Sequence, residues 1–152
     1  MKFLAMAAAV LGLTATSAVA GSVQRAGDGS QILFERGDNY LEFSAIYADA
    51  DISGVGTGGF AGTASGDIAN AFVSYSVGFK TKINDKLTFA LVANNPVGAD
   101  VTYAPSPYFF NRSRAVISST ALTGYLRYDI TDRFHVYGGL RATVVDGQVN
   151  LV

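Results

Sequence analysis

The sequence predicts an all-β fold, a transmembrane antiparallel up-and-down β-barrel of which about five strands are present. Three observations predict it: a secretory leader, segments that alternate apolar with polar residues, and connections of two sharply different lengths.

The leader opens the 152-residue chain. Lys2 supplies a positive start, residues 3–14 form an apolar run, and Ala18, Val19 and Ala20 ahead of Gly21 offer an A-x-A cleavage site. The run is too short for an anchor and lacks a charged stop-transfer flank. Residues 1–20 are therefore expected to be a signal peptide cleaved after Ala20, with the bacterial outer membrane as destination. No run of about 18 apolar residues follows. A mature protein in lipid would then have to cross as a closed sheet, because only helices and closed sheets satisfy the backbone there.

Five segments alternate at the strand period of two. In the first, Leu41, Phe43, Ala45 and Tyr47 oppose Tyr40, Glu42 and Ser44. In the second, Ala71, Val73, Tyr75, Val77 and Phe79 oppose Ser74, Ser76, Gly78 and Lys80. The third sets Leu87, Phe89, Leu91 and Ala93 against Thr88, Ala90 and Asn94. The fourth sets Leu122, Gly124, Leu126, Tyr128 and Ile130 against Thr123, Tyr125, Arg127 and Asp129. The fifth sets Phe134, Val136, Gly138, Leu140 and Ala142 against His135, Tyr137, Arg141 and Thr143. One side is greasy and the other wet.

The connections sort by length. Residues 84–86 and 131–133 fit three-residue hairpin loops, whereas residues 49–68 and 95–117 read as long loops. Short turns at one end and long loops at the other mark outer-membrane barrels. A two-sheet sandwich would instead fill its inner faces with apolar residues. Pairing Ile83 with Leu87 places Phe79 beside Leu91 and Val77 beside Ala93. Pairing Ile130 with Phe134 places Tyr128 beside Val136, Leu126 beside Gly138, Arg127 beside Tyr137 and Asp129 beside His135. Tyr128 and Phe134 would then lie at the periplasmic interface. Lys80, Arg127, Asp129, His135 and Arg141 would face the lumen. Five strands do not close a barrel, since single-chain bacterial barrels hold an even number from eight upward. Residues 39–152 are thus expected to be part of a longer barrel.

A net charge of −1 gives no footprint for nucleic acid, and the absence of cysteine removes disulfides and thiolate metal sites. His135 is the only histidine, and no nucleophile, metal or cofactor constellation gathers around it in the sequence. No enzyme is expected. Residues 54–59 spell G-x-G-x-x-G but lack the following helix of a nucleotide site, so a mobile outer loop is expected there. The second long loop carries Tyr103, Tyr108, Phe109 and Phe110, followed by Arg112 and Arg114. Rings for an acyl chain and guanidinium groups for a carboxylate would suit capture of an amphiphile. The same rings would also serve to pack the loop onto a barrel rim, with the arginines among lipid headgroups.

Several stretches carry a family resemblance: SVQR at 22–25, ILFERGDNYLEF at 32–43, NPVGADVTY at 95–103, ALTGYLRY at 121–128 and FHVYGGLR at 134–141. In their order and spacing the chain resembles the N-terminal portion of the long-chain fatty acid transporter (FadL-type) family of outer-membrane proteins. The resemblance implies a barrel of about fourteen strands, plugged by an N-terminal hatch, with hydrophobic ligands entering from outside and leaving laterally. Residues 21–38 would be a short hatch-like segment, although the family's Asn-Pro-Ala element is absent from it. The expected function is passive diffusion of hydrophobic compounds, fatty acids above all, through a monomeric barrel surrounded by outer-membrane lipid. A polar-solute porin and a structural or adhesive barrel remain as alternatives.

Overall fold

The structure, a computed structural model, describes residues 24–105 and 107–151. The expected leader at residues 1–20 lies outside the described residues. Each alternating segment forms a strand, because branched and aromatic side chains on every second residue pack against like neighbours on a pleated surface. The strands are β1 (Asn39–Ala48), β2 (Phe72–Asn84), β3 (Leu87–Asn94), β4 (Gly98–Thr102), β5 (Arg114–Thr131) and β6 (Phe134–Asn150). All neighbours are antiparallel, and the described sheet is not closed. No helix among the described residues is long and apolar enough to cross a membrane.

The sheet is a meander of five runs made from six strands. β6 pairs along the whole of β5, so β3 and β4 must share its other edge, β3 against Ala121–Tyr128 and β4 against Arg114–Ser118. They are one strand broken at Asn95, Pro96 and Val97. Residues 95–117 are therefore not a single loop: the connection is residues 103–113, and Arg114 opens β5.

The break is patched by side chains. Asn95 Oδ1 accepts from the Tyr75 N–H at 2.8 Å and its Nδ2 donates to Val73 O at 3.1 Å, replacing a missing ladder rung toward β2. Toward β5, the Ser119 hydroxyl accepts from the Val97 N–H at 2.8 Å and donates to Val97 O. Asn95 is buried, so an alanine there leaves a backbone donor and acceptor unpaired. At roughly 1–3 kcal/mol for each buried group left unsatisfied, Asn95→Ala should cost about 2–6 kcal/mol. A urea titration of wild type and variant would measure it, and a loss within error would contradict this account of the break.

Both tight turns contain two residues rather than the expected three. Asn84 pairs with Leu87 and Thr131 with Phe134, leaving Ile83 and Ile130 as unpaired bulge residues. The turns close locally: Asn84 Oδ1 accepts from the Lys86 N–H at 2.9 Å, and Thr131 Oγ1 accepts from the Phe134 N–H at 3.1 Å. Each bulge absorbs the one-residue error, so the pairs beyond it follow the expected register: Phe79–Leu91, Val77–Ala93, Tyr128–Val136, Leu126–Gly138, Arg127–Tyr137 and Asp129–His135.

The buried core lies on one side of the sheet only. A short 3₁₀ helix (Ser30–Phe34) presses Ile32 and Leu33 onto Ala90, Val92 and Tyr125. Burying each of those two aliphatic side chains contributes on the order of 1.5–3 kcal/mol. The opposite face stays bare: Leu41 and Phe43 are each 73% exposed and Leu140 87%.

Candidate ligand-handling faces

The face beneath the 3₁₀ helix is polar, and it holds the N-terminal segment by its carbonyls. That segment has no full ladder of its own, so its carbonyl groups need other donors. Lys80 Nζ donates to Glu35 O and, at 2.7 Å, to Gly37 O. The Arg127 guanidinium donates to Leu33 O. Asp28 O accepts from the Tyr125 hydroxyl at 2.7 Å and from Arg141 Nη2 at 3.0 Å. Asn94 Nδ2 reaches Gly27 O at 3.0 Å. The expected lumen-facing set thus shares one face of the sheet. Its three cations Lys80, Arg127 and Arg141 act as backbone clamps.

Asp129 and His135 complete that set near the tight turns. His135 Nδ1 lies 2.8 Å from Asp129 Oδ1, as their predicted pairing requires, and Arg127 Nη2 donates to Asp129 Oδ2 at 3.1 Å. Phe34 caps the group, with its ring edge-on to Tyr137 at 5.6 Å and the Arg127 guanidinium 5.3 Å from its centroid.

Toward the long loops both faces exchange character. On the helix-bearing face, the polar rows give way to Ile46 on β1, Phe72 on β2, Val101 on β4, Ile117 on β5, and Val145 and Val149 on β6. On the bare face, apolar rows give way to Asp100 and Thr102, then Arg114 and Ser118, then Asp146, Gln148 and Asn150. Every run of the meander changes on the first face, and β4, β5 and β6 change on the second. The exchange hid the strand start in the sequence, because residues 115–120 read as Ala-Val-Ile-Ser-Ser-Thr without clean alternation.

The loop rings gather just above. Tyr103 stacks on Tyr108 at 5.6 Å with 9° between planes, Phe110 lies 5.5 Å from Tyr103, and Phe109 meets Phe110 edge-on at 4.9 Å. A fifth ring, Phe60, stands 5.2 Å from Phe109. The sequence reading missed it, although Phe60 is the one aromatic residue between Tyr47 and Phe72 and sits beside the glycine motif. The loop that carries Phe60 closes on itself through backbone hydrogen bonds. Gly56 N–H donates to Thr63 O at 2.8 Å, Ser65 N–H to Gly54 O at 2.9 Å, and Ile68 N–H to Ile52 O at 2.9 Å. The last two glycines of the motif open a 3₁₀ turn (Gly58–Phe60), and no longer helix lies between it and β2 to receive a nucleotide phosphate.

Two hollows flank the rings. One of about 210 Å³ is lined by Tyr103, Phe110, Ala115, Val149 and Leu151 together with the polar Ser113 and Arg114. The other, of about 220 Å³, lies among Gly56, Phe60, Tyr108 and Phe109.

The two arginines part company. Arg114 Nη2 binds Asp100 Oδ2 at 3.1 Å, and Asp100 Oδ1 also accepts from Asn70 Nδ2 at 2.7 Å. Arg114 is therefore already neutralised. Arg112 is exposed, makes no ion pair among the described residues, and is the one described non-glycine residue with positive φ, at 60°.

Compared with known protein families, characterised proteins and solved structures, the chain matches none.

Proposed function

We propose that this chain forms part of the wall of an outer-membrane β-barrel that passes hydrophobic, carboxylate-bearing molecules of the long-chain fatty acid kind by passive diffusion. The exchange of polarity between the two faces carries the reading. On β6 the apolar face runs from Phe134 to Val144, ten steps. At about 3.3 Å per step and a tilt of about 40°, that is a belt roughly 25 Å tall, the height of a barrel's lipid-facing band. Above the N-terminal segment the inner wall turns apolar, which suits an acyl chain and not a hydrated solute.

The parts then take roles. The five rings and their hollows collect the chain of the ligand, and Arg112 meets its carboxylate, since Arg114 is already paired with Asp100. The N-terminal segment plugs the space below. The break at Asn95, Pro96 and Val97 is the interrupted stretch of wall through which a greasy ligand would leave sideways. Capture of Lys80, Arg127 and Arg141 by the plug weighs against a polar-solute porin, whose selectivity would need those charges free.

Uptake of radiolabelled oleate into cells and steady conductance in planar bilayers together test this. We expect uptake without steady conductance. Replacing Phe60, Phe109 and Phe110 together by serine should slow uptake at least about tenfold, since 1.4 kcal/mol is a factor of ten and each ring offers on the order of that on burial. Ohmic channels, or uptake indifferent to the rings, would reject the proposal.

A further inference from the structure

Arg25 is a half-buried cation with no counter-ion among the described residues. Its backbone is fixed at the break in the wall: the N–H donates to Pro96 O at 2.8 Å, and the carbonyl accepts from the Ser74 hydroxyl at 3.2 Å. Its guanidinium lies over the Phe72 ring, 4.2 Å from the centroid. It also lies against Gly98, where a Cβ would stand 2.4 Å from Cζ. The seat is thus built, with a ring on β2 to stack upon and a glycine on β4 that leaves it room. Yet the side chain makes no hydrogen bond among the described residues, and Nε is shut away from water without an acceptor. Stacking on a ring engages the face of a guanidinium and leaves its in-plane donors unused. A covered cation with idle donors is costly unless something arrives to pair with it.

The nearby acids do not fill that role. Asp100, two residues beyond Gly98, is held by Arg114 at 3.1 Å and by Asn70 at 2.7 Å. Glu42 lies opposite Gly78, six residues along β2 from Phe72, or about 20 Å. The wall around Arg25 narrows what the acceptor can be. Toward the N-terminal segment the inner face carries Ser74, Ser76 and Asn94, and toward the loops it carries Phe72, Val101 and Ile117. A hollow of about 520 Å³ runs past Arg25, Ser44, Ile46, Ser74 and Ser76. A molecule with an anionic head at Arg25 and an apolar tail along the upper wall meets a matching surface at both ends. An inorganic anion matches only the first. A planar carboxylate suits the paired donors of a guanidinium.

We infer that Arg25 is a specificity-determining residue: at the break it takes the carboxylate of a passing amphiphile and favours acids over neutral molecules of the same shape. The inference rests on the transport reading above, and it places a charge requirement on passage as well as on capture in the loops. The test measures retention of radiolabelled oleate and of oleyl alcohol, its neutral counterpart, by the full chain in detergent micelles. Arg112→Met serves as the background, so that the loop arginine contributes nothing. There oleate should be held about tenfold better than oleyl alcohol, the scale of one hydrogen bond to a charged group. Adding Arg25→Met should abolish that preference and leave oleyl alcohol binding unchanged, whereas a purely packing role would weaken both ligands alike. Gly98→Ala keeps Arg25 but fills its seat, so it should reduce the preference too and decides the matter if Arg25→Met does not fold. Excess inorganic phosphate should not displace oleate. No preference in the Arg112→Met background, a preference that survives both changes, equal loss of both ligands, or displacement by phosphate would overturn the inference and leave the transport reading standing. Wild type that binds neither compound would overturn the transport reading, and the role of Arg25 with it.

Discussion

Lys80→Met should free the N-terminal segment from the sheet. Lys80 is 3% exposed, and its ammonium group donates to the carbonyls of both Glu35 and Gly37. Hydrogen bonds to a charged group contribute about 1.5–3 kcal/mol each, so losing two should cost the docked segment about 3–6 kcal/mol. Methionine keeps the aliphatic stem, so packing changes little and the loss reads on the bonds. Hydrogen exchange at residues 28–37 should accelerate by a factor of a hundred or more, on the scale of ten per 1.4 kcal/mol. Lys82→Met is the control, because Lys82 meets only the fully exposed Asp85 and such pairs contribute little. Unchanged exchange in Lys80→Met would mean that Ile32 and Leu33 alone hold the segment. In cells the released segment should also raise permeability, as the plugging role proposed for it requires.

The second large effect falls on two adjacent glycines with opposite expectations. Gly139 faces Tyr125 across the β5–β6 pair, and a Cβ at 139 would stand 2.5 Å from Tyr125 Cδ1 and 2.7 Å from Gly124 O. The Tyr125 ring occupies the space a side chain at 139 would fill, a pairing in which an aromatic covers bare glycine backbone. Tyr125 reaches the Asp28 carbonyl from that position. Gly139→Val must displace both ring and backbone. Overpacking costs about 1–3 kcal/mol and the lost hydrogen bond about 1 more, for a total of about 2–4 kcal/mol. Gly138, one residue earlier, points to the bare face with nothing within 4 Å of its Cβ. Gly138→Val should be neutral or stabilising, because valine favours a strand and loses less backbone entropy. Thermal unfolding of the two variants in detergent would measure the contrast. Equal effects would contradict the assignment of faces.

That assignment was legible in the sequence wherever a single face was apolar throughout a segment. The residue sets of the five alternating segments, and the meeting of Asp129 with His135, follow from a period of two and a tight turn. The bulges at Ile83 and Ile130 were not legible, because an apolar residue beside a turn looks like one more member of the alternating face. β4 and the first part of β5 escaped for a different reason. Residues 114–120 keep the strand period, but the faces change polarity within them, so the alternation loses its phase. The docking of the N-terminal segment was hidden most deeply. Its partners are the carbonyls of Gly27, Asp28, Leu33, Glu35 and Gly37, and a carbonyl is the same group whatever side chain it carries. Of the candidate site, the four loop rings were visible as a cluster in sequence. Phe60 joins them from a loop more than forty residues away. Arg114 looked equivalent to Arg112 until Asp100 was found to hold it.

The central claim is that the bare face of this sheet meets lipid while the helix-bearing face does not. Single cysteines at Phe43 and Leu91 on the first face, and at Ser76 and Thr123 on the second, would each carry a fluorophore in the protein refolded into vesicles. Bromines placed along the acyl chains should quench the labels at 43 and 91 strongly and those at 76 and 123 weakly. Equal quenching at all four, or stronger quenching by aqueous iodide at 43 and 91, would contradict the account.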